Sequence, residues 1–108
     1  MPAPLALRWT VHAVNQLAAL AEYISLDSPL YAEQTVERIV ARLDQARVQP
    51  HSGRVVPEFL REDLRELVEP PYRIVYRIRA DAVEVLAIGH GRQDVRERLV
   101  GTDRVHTG

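Results

Sequence analysis

Apolar residues recur at intervals of three and four from about Ala13 to Leu26, at Val14, Leu17, Ala18, Ala21 and Ile24. That spacing predicts an amphipathic helix. Asp27-Ser28-Pro29 follows, offering a stop, an N-cap candidate and a proline suited to the first helical position. The period resumes from about Pro29 to Val48, with Ala32, Val36, Ile39, Val40, Leu43 and Ala46 on one face. Glu33, Gln34, Glu37, Arg38, Asp44 and Gln45 occupy the other. Two helices joined by so short a link are expected to form an antiparallel hairpin.

Beyond the loop cluster Pro50-His51-Ser52-Gly53 the period changes to two. From Tyr72 to Arg79, the residues Tyr72, Ile74, Tyr76 and Ile78 alternate with Arg73, Val75, Arg77 and Arg79. This predicts a strand with one face on a core and the other towards water or a partner. Ala80-Asp81 leads into a second, more apolar and more central strand from Val83 to Ile88, and no glycine fixes the register of that turn. Leu64 to Val68 predicts a third strand, with Pro70-Pro71 marking a turn or sheet edge. Leu5 to Trp9 suits an opening strand and Asp94 to Val100 a short closing helix, with a frayed tail from Gly101. The expected class is α+β: an N-terminal strand, a helical hairpin, and a three-stranded antiparallel meander with the helices on one face of one small sheet. The other face is expected to be uncovered, and it carries the arginines.

At 108 residues, 46% hydrophobic and 27% charged, the chain suits one soluble domain, residues 1–108 with a core from about 5 to 100. No apolar run matches a membrane span, and Met1-Pro2-Ala3-Pro4 lacks the layout of a signal peptide, so a cytoplasmic protein is expected. Cysteine is absent, which removes thiolate nucleophiles, disulfides and cysteine zinc sites. All 14 basic residues are arginine, set against 15 acids, for a net charge of −1. A nucleic-acid binder of this composition would have to work through a local patch. With no lysine there is no ammonium group for Schiff-base chemistry.

The candidate patch is the arginine face of the strands. It comprises Arg73, Arg77 and Arg79, with Arg65 reaching it from the neighbouring strand and Arg92 beyond the last strand end. Such a cluster suits phosphate or carboxylate, although Glu66, Glu69 and Glu84 are interleaved and able to pair with it. His90, between Gly89 and Gly91 at a strand end, is placed as an exposed imidazole. His12, His51 and His106 share no ligand spacing, so neither a metal site nor a cofactor is expected. Ser25, Ser28 and Ser52 sit in no nucleophile elbow. Trp9, Tyr23 and Tyr31 read as packing residues. Chemistry alone specifies no enzyme.

Taken in order, several strings carry a more specific signal. They are Trp9, Leu17, Tyr23-Ile24, Ser28-Pro29, and Pro50-His51-Ser52-Gly53-Arg54-Val55-Val56-Pro57-Glu58. Leu64-Arg65-Glu66-Leu67, Tyr72-Arg73-Ile74-Val75-Tyr76-Arg77 and Val85-Leu86-Ala87-Ile88-Gly89-His90-Gly91-Arg92 follow. Together, over about residues 5 to 100, they resemble the RelE/ParE superfamily of toxins from bacterial type II toxin–antitoxin systems. That resemblance implies a cognate, ParD-like antitoxin encoded in the same operon, docking an amphipathic helix near the second helix and setting acids against the arginine face. It also implies one of two targets. ParE-like members poison DNA gyrase, whereas RelE-like members cut mRNA on the ribosome with a cluster of basic residues.

By that resemblance Arg73 matches a catalytic arginine of the RelE-like members. Glu66 and Leu64 stand where those carry lysines, Leu99 where they carry a tyrosine, and Gln93, beside Arg92, where they carry a second arginine. An acid in place of a cation opposes neutralisation of a developing phosphorane. The expectation is therefore a ParE-like gyrase inhibitor, with Arg65, Arg73, Arg77, Arg79, His90, Arg92 and Arg96 as target- or partner-binding residues. The alternative is a ribosome-dependent endoribonuclease using Arg73, His90 and Arg92. A non-toxic module that binds only an antitoxin is a second alternative. No membrane association is expected.

Overall fold

The computed structural model describes residues 3–99. Strand β1 (Ala6–Trp9) leads into helices α1 (Val11–Ser25) and α2 (Pro29–Val48), and a single 3-10 turn follows at Pro50–Ser52. Strands β2 (Arg54–Val55), β3 (Leu64–Glu69), β4 (Tyr72–Ile78) and β5 (Ala82–His90) precede a short helix α3 (Val95–Arg98). The five strands form one sheet in the order β1-β5-β4-β3-β2. β1 runs parallel to β5 and the remaining pairs are antiparallel. The α+β class and the element order are as the sequence reading has them. The two-residue β2 is an addition, and β1 makes the sheet mixed. The tail from Gly101, and Val100 of the closing helix, lie outside the described residues.

Local chemistry explains the helices. The Thr10 hydroxyl accepts the Ala13 N–H at 3.1 Å and the Ser28 hydroxyl accepts the Tyr31 N–H at 3.1 Å, so each helix has a side-chain N-cap. Pro29 begins α2, where its missing N–H costs nothing. The buried faces differ in detail from the apolar periodicity. Ala13 and Ile24 are the buried positions of α1, while Val14 is exposed. In α2, Thr35 is buried with Ala32, Ile39, Leu43 and Ala46, while Val40 turns outward. A threonine can take a core position here because its hydroxyl donates to the Tyr31 carbonyl at 2.8 Å.

The hairpin lies on the face of the sheet that carries Leu67, Ile74, Tyr76, Val83, Val85 and Ile88, and these pack with Ile39 and Leu43. The change from odd- to even-numbered residues between Val85 and Ile88 has a local cause. Val75 pairs with Ala87 while Tyr76 pairs with Val85, so Leu86 is an extra residue in β5. Past that bulge the alternation inverts.

The opposite face is not uncovered, contrary to the sequence expectation. Val56, Leu64, Val75, Leu86, Ala87, Val95 and Leu99 form a second apolar cluster there, with Phe59 packed against it. The segment between β2 and β3, together with α3, provides the cover. Strict alternation along Tyr72 to Arg79 identified two faces correctly but missed that both are largely buried.

Candidate functional site: a buried charge cluster and a cleft beside the sheet edge

Arg73 is the centre of the reverse face. Val75 and Arg73 share that face with Glu66 of β3, which pairs with Val75 on β4 and with Arg54 on β2. The Arg73 Nε–H donates to Glu66 Oε2, and the Arg54 Nε–H donates to Glu66 Oε1 at 2.7 Å. Glu66 is therefore a fully buried carboxylate clasped by two guanidiniums. The two terminal nitrogens of Arg73 grip Glu58 as a fork, each N···O distance being 2.9 Å.

Glu58 also accepts the Val95 N–H at 2.9 Å, and Arg73 donates to the Gln93 carbonyl at 3.1 Å. Two positive and two negative charges thus tie the β2–β3 segment and the start of α3 onto the sheet. The Arg73 hydrogen bond, aided by the Val95 N–H, holds the Glu58 carboxyl down at about 2. The Arg73 guanidinium is held charged even more firmly than usual, first by its hydrogen bond to Glu58.

The other predicted arginines do not assemble into one cationic face. Arg65 pairs with Tyr76 in the ladder and so points to the helical side. There it is buried, donating to the carbonyls of His51, Gly53 and Glu62 and to the Glu62 carboxylate. The expectation that it reaches the surface shared by Arg73 and Arg77 is overturned by this register, in which neighbouring residues of one strand alternate between faces.

Arg77 binds Glu84 at 3.1 Å and Arg79 lies 3.8 Å from the same carboxylate. Arg96 pairs with Asp94 at 2.9 Å, which lowers the Asp94 carboxyl. His90 is exposed, and its Nδ1 accepts the Arg92 N–H at 3.3 Å. Among the described residues, the Arg92 side chain makes no ion pair. The arginine surface the sequence suggested is for the most part internally neutralised.

A second feature lies on the helical side. A cleft of about 570 Å³ opens between α1 and the end of β5, with Asn15, Gln16, Ala19 and Leu20 on one wall and Ile88 to His90 on the other. Tyr72 stands at the same cleft, its phenol pushed up by burial. A phenol so shifted stays protonated near neutrality and is no general base. The sequence reading placed His90 at a strand end, as found, but made no mention of a cleft there, of Gln16 at its wall, or of Glu58 as the partner of Arg73. The Pro57-Glu58 string gave no hint that the carboxylate reaches Arg73, 15 residues away.

The fold is thus a single mixed sheet backed by a helical hairpin, with Arg73 locked in an ion cluster on the reverse face. The comparisons sharpen this. Residues 7–95 match the model of the family described as the ParE toxin of the type II toxin–antitoxin system parDE. The chain belongs to that family. It is 39% identical over 89 residues to Y4kP of Sinorhizobium fredii, a candidate toxin, spanning 81% of this chain and 88% of that protein. It is 34% identical over 82 residues to Toxin RelE2 of Caulobacter vibrioides, spanning 76% of this chain and 90% of that one.

Among solved structures, the chromosomal ParDE system of P. aeruginosa superposes with a TM-score of 0.65 at 25% identity, covering 80% of this chain and 95% of that one. The RelBE2 toxin–antitoxin complex of Mycobacterium tuberculosis gives 0.56 at 22% identity over 82% of this chain and 99% of that one, a likeness of fold. The protein is a toxin of a type II toxin–antitoxin system. Among the described residues, no helix is long and apolar enough to cross a membrane.

Proposed function

We propose that the chain inhibits DNA gyrase through a binding surface and is neutralised by an antitoxin encoded in the same operon. One observation carries the choice of target. Arg73 stands where a ribosome-dependent nuclease of this superfamily needs a cation, yet it is 8% exposed and saturated by Glu58 and Glu66. A guanidinium so paired cannot also neutralise a phosphorane without first surrendering two carboxylates, one of them fully buried. The other nuclease positions agree. Leu64 and Leu99 are buried apolar residues, and Glu66 is the acid at the centre of the cluster.

His90 and Arg92, both exposed and adjacent at the end of β5, support the ribonuclease as the second reading. The arginine face offers an acidic antitoxin segment little that is not already paired. Exposed apolar side chains lie instead along both helices, at Val11, Val14 and Tyr23 of α1 and at Tyr31, Val40 and Val48 of α2, and the β5 end exposes His90. Purified toxin added to a gyrase supercoiling assay, and in parallel to a coupled translation reaction, decides the matter. Inhibition of supercoiling with mRNA left intact is the expected result, and mRNA cut within A-site codons would establish the second reading.

A further inference from the structure

β1 covers only the first half of β5. Its pairing runs from Ala82 to Val85, after which Thr10 closes the ladder, its N–H donating to the Val85 carbonyl at 3.1 Å, and the chain turns into α1. The second half of β5 therefore keeps an edge of its own on that side. Ile88 and His90, two residues apart and facing Ile74 and Tyr72 across β4, aim their N–H groups at it.

Neither N–H meets another strand. The Ile88 N–H donates to the side-chain amide oxygen of Gln16 at 2.8 Å, and the His90 N–H to that of Gln93 at 3.1 Å. The Gln93 N–H returns a bond to the His90 carbonyl at 3.0 Å. Two glutamine side chains, each chemically a peptide amide, thus occupy the places of a missing strand. The cleft beside α1 runs along the same edge.

We propose that this edge receives an extended segment of the antitoxin, about four residues at roughly 3.3 Å each, which adds to the sheet as a strand along the track that β1 vacates. The segment displaces the Gln16 and Gln93 amides from Ile88 and His90 and sets an apolar side chain against Ala19 and Leu20. The chemistry of the cleft selects this occupant. Its walls carry no arginine, aspartate or glutamate; their polar side chains are Asn15, Gln16, Tyr23, Tyr72 and the imidazoles of His12 and His90, hydrogen-bonding groups that suit a peptide main chain. They also offer main-chain hydrogen bonds at strand spacing beside a small apolar floor. The proposal rests on the antitoxin reading above but adds where the antitoxin binds and in what conformation.

The test uses the toxin with the antitoxin from its operon. Amide exchange at Ile88 and His90 is expected to slow at least tenfold on complex formation. Ala19→Arg, an exposed α1 position that fills the cleft, is expected to weaken binding at least a hundredfold. Ala18→Arg, exposed on α1 but not lining the cleft, is expected to leave it unchanged. Circular dichroism verifies that both variants fold. Gln16→Ala is expected to bind about fivefold more tightly, because the partner strand no longer displaces a competitor of about one net hydrogen bond.

A merely supporting Gln16 predicts the opposite sign. Antitoxin binding that leaves Ile88 and His90 unprotected and tolerates Ala19→Arg overturns the strand site while the antitoxin reading stands. Protection of the same amides in a dimer of the toxin alone would assign the edge to a second copy and overturn the proposal. No binding of antitoxin by the wild-type chain overturns both.

Discussion

Tyr76 and Arg73 lie three residues apart on β4, on opposite faces of the sheet, and each is hidden from water for a different reason. Tyr76 is 0% exposed among Ile39, Leu43, Val83 and Val85, and its hydroxyl donates to the Pro50 carbonyl at 2.6 Å while accepting the Gly53 N–H at 3.1 Å. Arg73 is buried among carboxylates and ties down two segments that also contribute Val56, Phe59, Val95 and Leu99 to the second apolar cluster. The helical face is secured by volume, whereas the reverse face adds charge to a smaller apolar cluster. A buried ion cluster is cooperative, because removing one member strands the others.

The largest effect expected lies on the helical face. Tyr76→Ala removes a buried ring together with both hydroxyl bonds, and should cost about 4 kcal/mol in a denaturant melt. That is a large share of the stability of a domain this size. The loop would suffer with the core, since Gly53 packs against the ring so closely that an added Cβ would lie 2.5 Å from its hydroxyl. Arg77→Ala, one residue on, gives up a pairing with Glu84 near the surface and should cost at most about 1 kcal/mol. Equal losses in the two variants would erase the distinction between the faces.

Arg73→Ala comes next. It leaves Glu66, which has no exposed surface, with Arg54 alone, and should cost about 3 kcal/mol. Arg73→Lys should rescue little of this, because an ammonium cannot make the fork to Glu58 while also holding Glu66. Arg92→Ala, with an exposed side chain, should leave the melt unchanged. Loss of toxicity in Arg73→Ala therefore says nothing of phosphate chemistry unless the variant is shown to be folded at the assay temperature. A folded and fully stable Arg73→Ala protein would return Arg73 to the list of target-binding residues.

The same contrast explains what was legible in the sequence. Period and punctuation located the helices, the Ser28 cap of α2 and the three long strands, because burial of one face and the chemistry of Ser28-Pro29 or Pro70-Pro71 act within a few residues. The Thr10 cap of α1 was not anticipated. The arginine face was legible in part: the interleaved acids signalled pairing, found as Arg73–Glu66 and Arg77–Glu84, but other pairing is not local. Glu58 meets Arg73 across 15 residues, and nothing in Val-Pro-Glu says which cation it will find. The side of Arg65 depends on the β3–β4 register, which fixes it opposite Tyr76. The bulge at Leu86 is likewise set by packing on both faces, so an apolar run such as Val85-Leu86-Ala87-Ile88 hides it. His90 was found at its strand end, but the bonds that Gln16 and Gln93 lend to the β5 edge required coordinates.

The smallest loss expected within the ion cluster separates the two faces by pH. Glu58 titrates at about 2 in the fold against an ordinary 4.5, through its bonds to Arg73 and the Val95 N–H. Below pH 4.5 the unfolded chain takes up this proton before the folded one does, so the contribution of Glu58 is complete above about 4.5 and falls away as the pH drops towards 2. Arg73 stays charged throughout and adds no slope of its own in that window. Glu58→Gln should therefore be less stable than the wild type at pH 7 by about 2 kcal/mol, the worth of a hydrogen bond to a charged group. Its stability should fall less steeply below pH 4.5, and the two curves should converge near pH 2. Because Glu58 accepts from Val95, amide exchange from Val95 to Leu99 should quicken in the variant before the α1 and α2 amides respond. Parallel stability curves, or exchange that rises equally in the helical hairpin, would mean that the reverse face is held by its apolar cluster around Val56 and Leu86 rather than by the charges.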